Sequence, residues 1–343
     1  MLATVARPQT ASAAAPTGAV ARINSLDWTK GALVLVMVVY HSINYSAFRP
    51  LAFKFLPFLP PSFVLIAGFV VGAIYSARYD VGTWKPYARL WVRGLKLLLL
   101  FAALNVGACI LLEHNVADGL FEFADRSGIV FLSGNGREAI FEVLLPIAYF
   151  LLLVPGLLWL RTHAAAAIPI CAIAVFVLCT VLERQGLASV NLTLLSAGIL
   201  GMALGLVPLA AVDRFARKWS GVLLIYLLYR LGSWSFGEIY PVYLFGAAAS
   251  VLVLYACALR LDMSAWTGRQ LVLLGRYSLL GYLAQIALIR VMVWGAGGNP
   301  RHWDGVIAVG MLTTVLLFLL VHLVSALRRR SRLVDASYKC VFA

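Results

Sequence analysis

Charged side chains are scarce in this chain of 343 residues. Asp, Glu, Lys and Arg together make up 12% of it, whereas soluble domains carry about 25%. Hydrophobic residues account for 62%, and the mean hydropathy is +0.92. This balance excludes an ordinary soluble domain, because a soluble core cannot enclose so much apolar surface. It predicts an integral membrane protein, and the length favours one helical bundle over several domains.

Acidic residues are the rarer charged type: 14 Asp and Glu stand against 28 Lys and Arg, for a net charge of +14. In a soluble protein this excess would indicate nucleic-acid binding. No basic patch with interleaved aromatic residues lies apart from an apolar segment, so no nucleic-acid partner is expected. Membrane proteins concentrate Lys and Arg in their cytoplasmic loops, and membrane lipids are the predicted surroundings.

Several motifs that carry chemistry are absent. The chain has no Walker loop, no HExxH and no GxSxG. None of its five cysteines shows CxxC spacing, and four of them lie inside apolar runs. We therefore predict no disulfide, no catalytic thiol and no metal site.

The first twenty residues contain few large apolar side chains. Residues 1–20 are rich in Ala, Thr and Pro, which predicts a disordered tail. They lack the apolar core of a signal peptide, so the first apolar run is predicted to remain as a membrane span. We divide the rest into a transmembrane domain, residues 21–330, and a cytoplasmic tail, residues 331–343.

Ten apolar runs approach the roughly 20 residues that an α-helix needs to cross a bilayer. They predict an all-α bundle of about ten transmembrane helices, and the seventh run is short enough to be re-entrant. The predicted spans are residues 30–47, 58–76, 90–112, 139–160, 164–182, 190–211, 219–231, 242–259, 271–293 and 306–327.

The basic residues alternate between successive connections. With ten spans, one set of connections and tails holds 19 Lys and Arg and the other set holds 6. This imbalance predicts that both termini are cytoplasmic. The longest interior connection, residues 113–138, then faces the outside. Its acidic residues favour a functional loop and plain solvation about equally.

The first predicted span contains the stretch RINSLDWTKGALVLVMVVYH, residues 22–41. At about 100° per residue, Lys30 and His41 share one face of a helix and lie roughly 16 Å apart along its axis. A cation would then lie at the cytoplasmic mouth, with an imidazole past the midplane. A long ligand with an anionic head and a reactive tip, such as an acyl-coenzyme A, fits this geometry. Alternatively, His41 only hydrogen-bonds a neighbouring helix.

The same stretch resembles the start of the bacterial membrane acyltransferases that O-acylate sugars (acyltransferase family three and its relatives). Those proteins begin with a pattern like R-x-x-x-L-D-x-L-R-G, followed ten residues later by a histidine. One departure is Lys30, where the family usually has arginine, so the planar fork of a guanidinium is lost. The matching positions are Arg22, Leu26, Asp27, Gly31 and His41.

Three shorter stretches add to the resemblance, which covers the first hundred residues and the ninth span. They are SFVLIAGFVVG (residues 62–72), RLWVRGLK (89–96) and LGRYSLLGYLAQ (274–285), in which Gln285 replaces a frequent histidine. A related group succinylates osmoregulated periplasmic glucans and begins with a similar pattern.

The resemblance implies a multi-pass acyltransferase of the bacterial inner membrane. It would transfer an acetyl or succinyl group from cytoplasmic acyl-coenzyme A to a hydroxyl of a glycan or sugar at the outer side, with His41 as general base. The donor phosphates would be held by Arg22, Lys30, Arg89 and Arg93.

Some of these residues have a second interpretation. Arg89 and Arg93 also suit a positive-inside anchor. Glu142 is expected to orient or charge-stabilise His41, as carboxylates do for catalytic imidazoles, or to pair with Arg137. For Asp27 we favour helix capping.

Two other classes of function fit a helical bundle with an intramembrane histidine. One is a transporter or flippase of small polar or lipid-linked solutes, although no clear internal repeat or pair of broken helices supports it. The other is a non-catalytic subunit of a membrane assembly. The sequence sets neither the acyl group nor the acceptor nor the oligomeric state.

Overall fold

The computed structural model of the chain describes residues 23–75, 84–113, 116–134, 141–237 and 239–342. Within these ranges the regular elements are all helices, without a β-strand. The tail predicted for residues 1–20 lies outside the described residues.

Fifteen α-helices follow one another in the described part of the chain. The third continues into a five-residue π-helical turn, Val71–Tyr75. The helices are α1 Asn24–Asn44, α2 Arg49–Phe55, α3 Leu59–Val70, α4 Trp84–Glu113, α5 Val116–Ser133, α6 Leu144–His163, α7 Ala167–Arg184, α8 Val190–Leu204, α9 Leu209–Ala216, α10 Trp219–Phe236, α11 Tyr240–Ala258, α12 Trp266–Arg276, α13 Ser278–Gly295, α14 Trp303–Arg330 and α15 Arg332–Phe342.

Seven of the described helices are long and apolar enough to cross a membrane, and the number rises to nine if each of two bent helix pairs is one span. This confirms the class of an all-α, multi-pass membrane protein. Each of the ten predicted runs overlaps a helix, although the ninth, residues 271–293, crosses the end of α12 and most of α13. The difference in number lies at α10. That helix is longer than predicted, with 18 residues. It carries Arg230 and several polar side chains, so its mean hydropathy is lower than that of the seven candidate membrane-spanning helices.

The two bent pairs differ from the expectation of no paired broken helices. Helices α2 and α3 meet at 41°, and α8 and α9 meet at 100°. Pro57 lies in the first break, and Gly205 and Pro208 flank the second. Proline lacks an amide hydrogen and disfavours a helical residue before it, which explains why the helices stop there.

The connection predicted for residues 113–138 is largely helical, and that expectation was wrong. Helix α5 occupies most of it and packs against α4 and α8. Asn191 of α8 donates hydrogen bonds to the carbonyls of Val130 and Phe131, at 2.9 and 3.1 Å. Interhelical packing and these bonds stabilise a helix whose charged residues had indicated a loop.

The C-terminal segment also folds back onto the bundle. Helix α15 is joined to α14 by the Arg328 guanidinium, which binds the Asp335 carboxylate at 2.7 Å. Tyr338 packs against Tyr277, with ring centroids 5.4 Å apart, and Lys96 donates to the carbonyl of Lys339. The predicted cytoplasmic tail is therefore an ordered helix. The hydrogen bonds from Lys339 and Arg328 hold the pKa of Asp335 below its usual value.

Helices α3 and α8 form the most extensive helix–helix contact among the described residues. A Cβ atom added to Gly68 would collide with the carbonyl of Gly198, and one added to Gly201 would collide with that of Leu65. Small residues let two backbones approach within van der Waals contact, which replaces the hydrophobic effect as a source of stability inside a membrane. Helices α3 and α8, which each adjoin one of the two breaks, are thus packed directly against each other.

Helix α1 lies at the centre and contacts α3, α11, α12, α13 and α14. Gly31 lies against the carbonyl of Leu271 in α12, and Gly275 lies against the carbonyl of Asp27. This backbone contact holds the start of α1 and thereby positions the ionisable residues described next.

Candidate functional site

Helix α1 begins at Asn24 and ends at Asn44, several residues earlier at both ends than the predicted span. Lys30 therefore lies in the second turn, and His41 lies in the last turn. The histidine is close to the C-terminal end of the helix, rather than followed by almost two further turns as the sequence predicted.

Lys30 has a carboxylate partner. Its Nζ lies 2.7 Å from Oδ1 of Asp27, and Nε of Arg276 lies 3.7 Å from Oδ2 of the same residue. Asp27 is buried, and the N-cap of α1 is Ile23 without a side-chain cap. The capping role favoured for Asp27 was wrong, because its carboxylate is engaged by two cations. Asp27, Lys30 and Arg276 together carry a formal net charge of +1.

A cavity of about 270 Å³ opens beside this cluster, between α1, α3, α4, α6 and α13. Lys30 of α1, Arg93 in the third turn of α4 and Ser278 at the start of α13 line it. Val143 and Tyr282 line it about one helical turn or more further along, and the remaining wall is mostly hydrocarbon. The cavity therefore has a basic end and an apolar interior.

The predicted phosphate-binding residues are only partly brought together. Arg93 lines the cavity with Lys30, and the structure gives it no ion pair among the described residues. Arg89 is exposed one turn earlier and does not line the cavity. Arg22 lies outside the described residues.

The other end of α1 carries an aromatic cluster around His41. The imidazole stacks on Tyr45, with centroids 6.0 Å apart, and meets the ring of Tyr40 edge-on at 5.1 Å. Arg290 of α13 lies over the Tyr45 ring and donates to its hydroxyl at 3.1 Å. Nδ1 of His41 is buried, and no partner is found for it among the described residues.

Glu142 lies in the turn that precedes α6. Its neighbour Phe141 has φ 64, a left-handed conformation that costs a residue with a side chain roughly 1–3 kcal/mol and is concentrated at functional sites. The Glu142 carboxylate acts electrostatically on the hydroxyls of Tyr40 and Tyr282. No hydrogen bond between Glu142 and His41 is found among the described residues. The alternative partner, Arg137, lies outside the described residues.

Gln285, noted in the sequence only as the replacement for a frequent histidine, is a buried polar residue whose environment the sequence did not predict. It is 0% exposed, one turn after Tyr282 in α13, and neither atom of its amide has a hydrogen-bond partner in the described part of the chain. The Oδ1 of Asn44 shares this property. Buried polar groups without partners are rare and cost about 1–3 kcal/mol each. An amide in the middle of an apolar helix was the signal available in the sequence.

In the described ranges, no three His, Cys, Asp or Glu residues lie close enough together to hold a metal ion.

No family model, curated protein or solved structure matches the chain. The fold and the composition define the class, a multi-pass helical membrane protein. The resemblance to the acyltransferases stays a prediction.

Proposed function

We propose that the chain is a membrane O-acyltransferase that moves an acetyl or succinyl group from acyl-coenzyme A to a hydroxyl of a glycan or sugar. In this proposal it lies in a bacterial inner membrane, with both termini cytoplasmic. The observation that carries the proposal is the cavity that begins at Lys30 and Arg93 and extends inward to Tyr282.

The basic end of the cavity suits the phosphates of the donor. Asp27 neutralises part of the charge of Lys30, so Arg93 supplies the unpaired cation. A guanidinium binds phosphate oxygens in a bidentate manner. The volume of about 270 Å³ is just below the roughly 300–1,000 Å³ of pockets that enclose a drug-sized ligand. It therefore fits the narrow pantetheine arm and the acyl group, while the nucleotide stays outside near Arg89.

The acceptor would approach from the His41 end of α1. The neutral imidazole accepts the proton of the acceptor hydroxyl as the oxygen attacks the thioester carbonyl. The C–S bond then breaks, and the coenzyme A thiolate takes the proton from the imidazolium. The step forms an ester and free coenzyme A and needs no other reactant. His41 does not line the cavity, so the thioester must extend past Tyr282 to reach it.

The test uses purified protein in lipid vesicles with radiolabelled acetyl- and succinyl-coenzyme A. His41→Gln should lower acyl transfer or thioester hydrolysis by about 10²- to 10⁴-fold with donor binding retained. The matched control is His163→Gln, which changes an exposed histidine at the far end of α6. Arg93→Gln should weaken donor binding with a smaller effect on turnover. Equal rates in wild type and His41→Gln, or no donor binding by wild type, would contradict the proposal.

One observation favours a second candidate, a transporter. The two bent helix pairs are in contact, because α3 packs against α8 along their small residues. Paired broken helices are typical of transporters, in which they form the substrate site. The same vesicles distinguish the two functions. Solute uptake that proceeds without acyl-coenzyme A and leaves the solute unmodified would replace the acyltransferase by the transporter.

A further inference from the structure

A second cavity, separate from the one at Lys30, is formed almost entirely by hydrocarbon. It also measures about 270 Å³ and lies between α3, α8, α10 and α11, with Leu26 of α1 at its border. Tyr255 contributes the one polar side chain of its wall, and its hydroxyl donates to Asp213 at 2.6 Å. We call this cavity the apolar groove. Its wall is almost wholly apolar, which suits a hydrocarbon chain.

Cations cluster at one end of the apolar groove. Val212 of α9 lines the groove, and Arg214, Arg217 and Lys218 follow within six residues. All three are exposed, and the structure gives none of them an ion pair among the described residues. Tyr255, which lines the groove, donates to Asp213, the residue directly before Arg214, so this part of α9 lies beside the groove. The hydrogen bond does not remove the formal charge of Asp213, so Asp213 and the three cations together carry a formal charge of +2.

The basic end is held in place by the helix termini around it. Arg260 donates to the carbonyls of Ala216 and Ala256, at 3.1 and 2.8 Å. Its guanidinium also lies 4.7 Å from the ring centroid of Trp219. These contacts tie the end of α9 to the end of α11, so the three cations lie on a fixed backbone beside the groove.

We propose that the apolar groove binds an acyl chain of an anionic phospholipid, whose phosphate is held by Arg214, Arg217 and Lys218. The groove matches the chain, and the cations match the headgroup by charge. In a membrane, a phospholipid supplies both groups in one molecule. Basic residues near an anionic membrane surface attract anionic lipids, so three of them favour an anionic headgroup over a zwitterionic one. This site is independent of the proposed acyl transfer.

The experiment is native mass spectrometry of the protein with phosphatidylglycerol or phosphatidylcholine of the same chain length. Wild type should retain phosphatidylglycerol at least tenfold better than phosphatidylcholine. The triple variant Arg214→Gln, Arg217→Gln and Lys218→Gln should lower the ratio of retained phosphatidylglycerol to retained phosphatidylcholine at least tenfold. The matched control removes the same charge from exposed residues that do not line the groove: Arg329→Gln, Arg330→Gln and Arg332→Gln.

A second variant tests the chain separately from the charge. Ala248 lines the groove, and Ala248→Leu should fill part of it and lower the retention of phosphatidylglycerol by several fold with all cations present. Equal losses in the two triple variants would overturn the proposal in favour of nonspecific surface attraction. Unchanged retention in Ala248→Leu, or equal retention of the two lipids by wild type, would also overturn it.

Discussion

At the N-terminal end of α1 the ionisable side chains have partners, whereas at its C-terminal end two buried polar atoms have none among the described residues. Asp27 binds Lys30 and Arg276, and Arg276 also donates to Asn24. Three turns away, Nδ1 of His41 and Oδ1 of Asn44 lack partners in the described part of the chain. The two regions belong to one helix, so the difference reflects the neighbouring helices rather than helix propensity.

The comparison separates two uses of polarity inside a helical bundle. A buried polar side chain with a partner stabilises the fold, and its removal leaves that partner without a hydrogen bond or an ion pair. An unsatisfied group costs stability, and a protein retains such a cost mainly where the group acts on something else. The paired end of α1 should therefore respond to substitution through stability, and the unpaired end should respond through activity.

The largest effect is expected from Gly31→Leu at the paired end. The new side chain would collide with the backbone carbonyl of Leu271, and backbone cannot move aside as a side chain can. We expect a loss of about 3 kcal/mol or more in unfolding free energy, seen as a lower Tm. Gly107→Leu is the control, since nothing lies within 4 Å of a Cβ added there. A similar Tm for both variants would show that α1 and α12 are not in contact.

An intermediate effect is expected from Asp27→Asn. The substitution preserves the shape but leaves Lys30 and Arg276 without their carboxylate, and we expect a loss of about 2 kcal/mol. Asp304→Asn, at the exposed start of α14, should cost less than about 1 kcal/mol. Chemical unfolding in detergent measures both. If the two substitutions have equal costs, the pairing of Asp27 contributes nothing to stability.

The smallest effect on stability is expected from Gln285→Leu in α13, whose buried amide also lacks a partner among the described residues. Replacing an unsatisfied buried amide by an apolar side chain of similar volume should leave the unfolding free energy unchanged or raise it by about 1 kcal/mol. Asn191→Leu, which removes an amide with two hydrogen bonds, should instead cost about 1–2 kcal/mol. A loss of stability in Gln285→Leu would indicate an internal structural role. A fall in acyl transfer at unchanged stability would place Gln285 in the site.

Apolar runs predicted most of the fold because the helices that cross a membrane are made of them. The run at 164–182 and the helix α7 nearly coincide. Helices α5 and α15 were missed because charged residues interrupt their apolar faces, and packing against α4, α8 and α14 stabilises them. A hydropathy pattern contains no information about such contacts.

The candidate site was predictable only where it depended on spacing along one helix. The shared face of Lys30 and His41 followed from the helical period, but their environments did not. Arg276, which shares the carboxylate of Asp27, lies 249 residues further along the chain. The missing partners of Gln285 depend on side chains from other helices. Such long-range pairings are set by the bundle and leave no local signal in a single sequence.

The π-helical turn after α3 has a consequence for changes in chain length. A turn closed by i→i+5 hydrogen bonds contains one residue more than an α-helical turn. Deleting one residue within Val71–Tyr75 would restore ordinary helical geometry, whereas a deletion within α3 would rotate part of its face by about 100°. Gly72 lies in this turn against the carbonyl of Met202, so it is held close to α8. Deletion of one residue in this turn should therefore disturb the face of α3 less than a deletion within α3 itself.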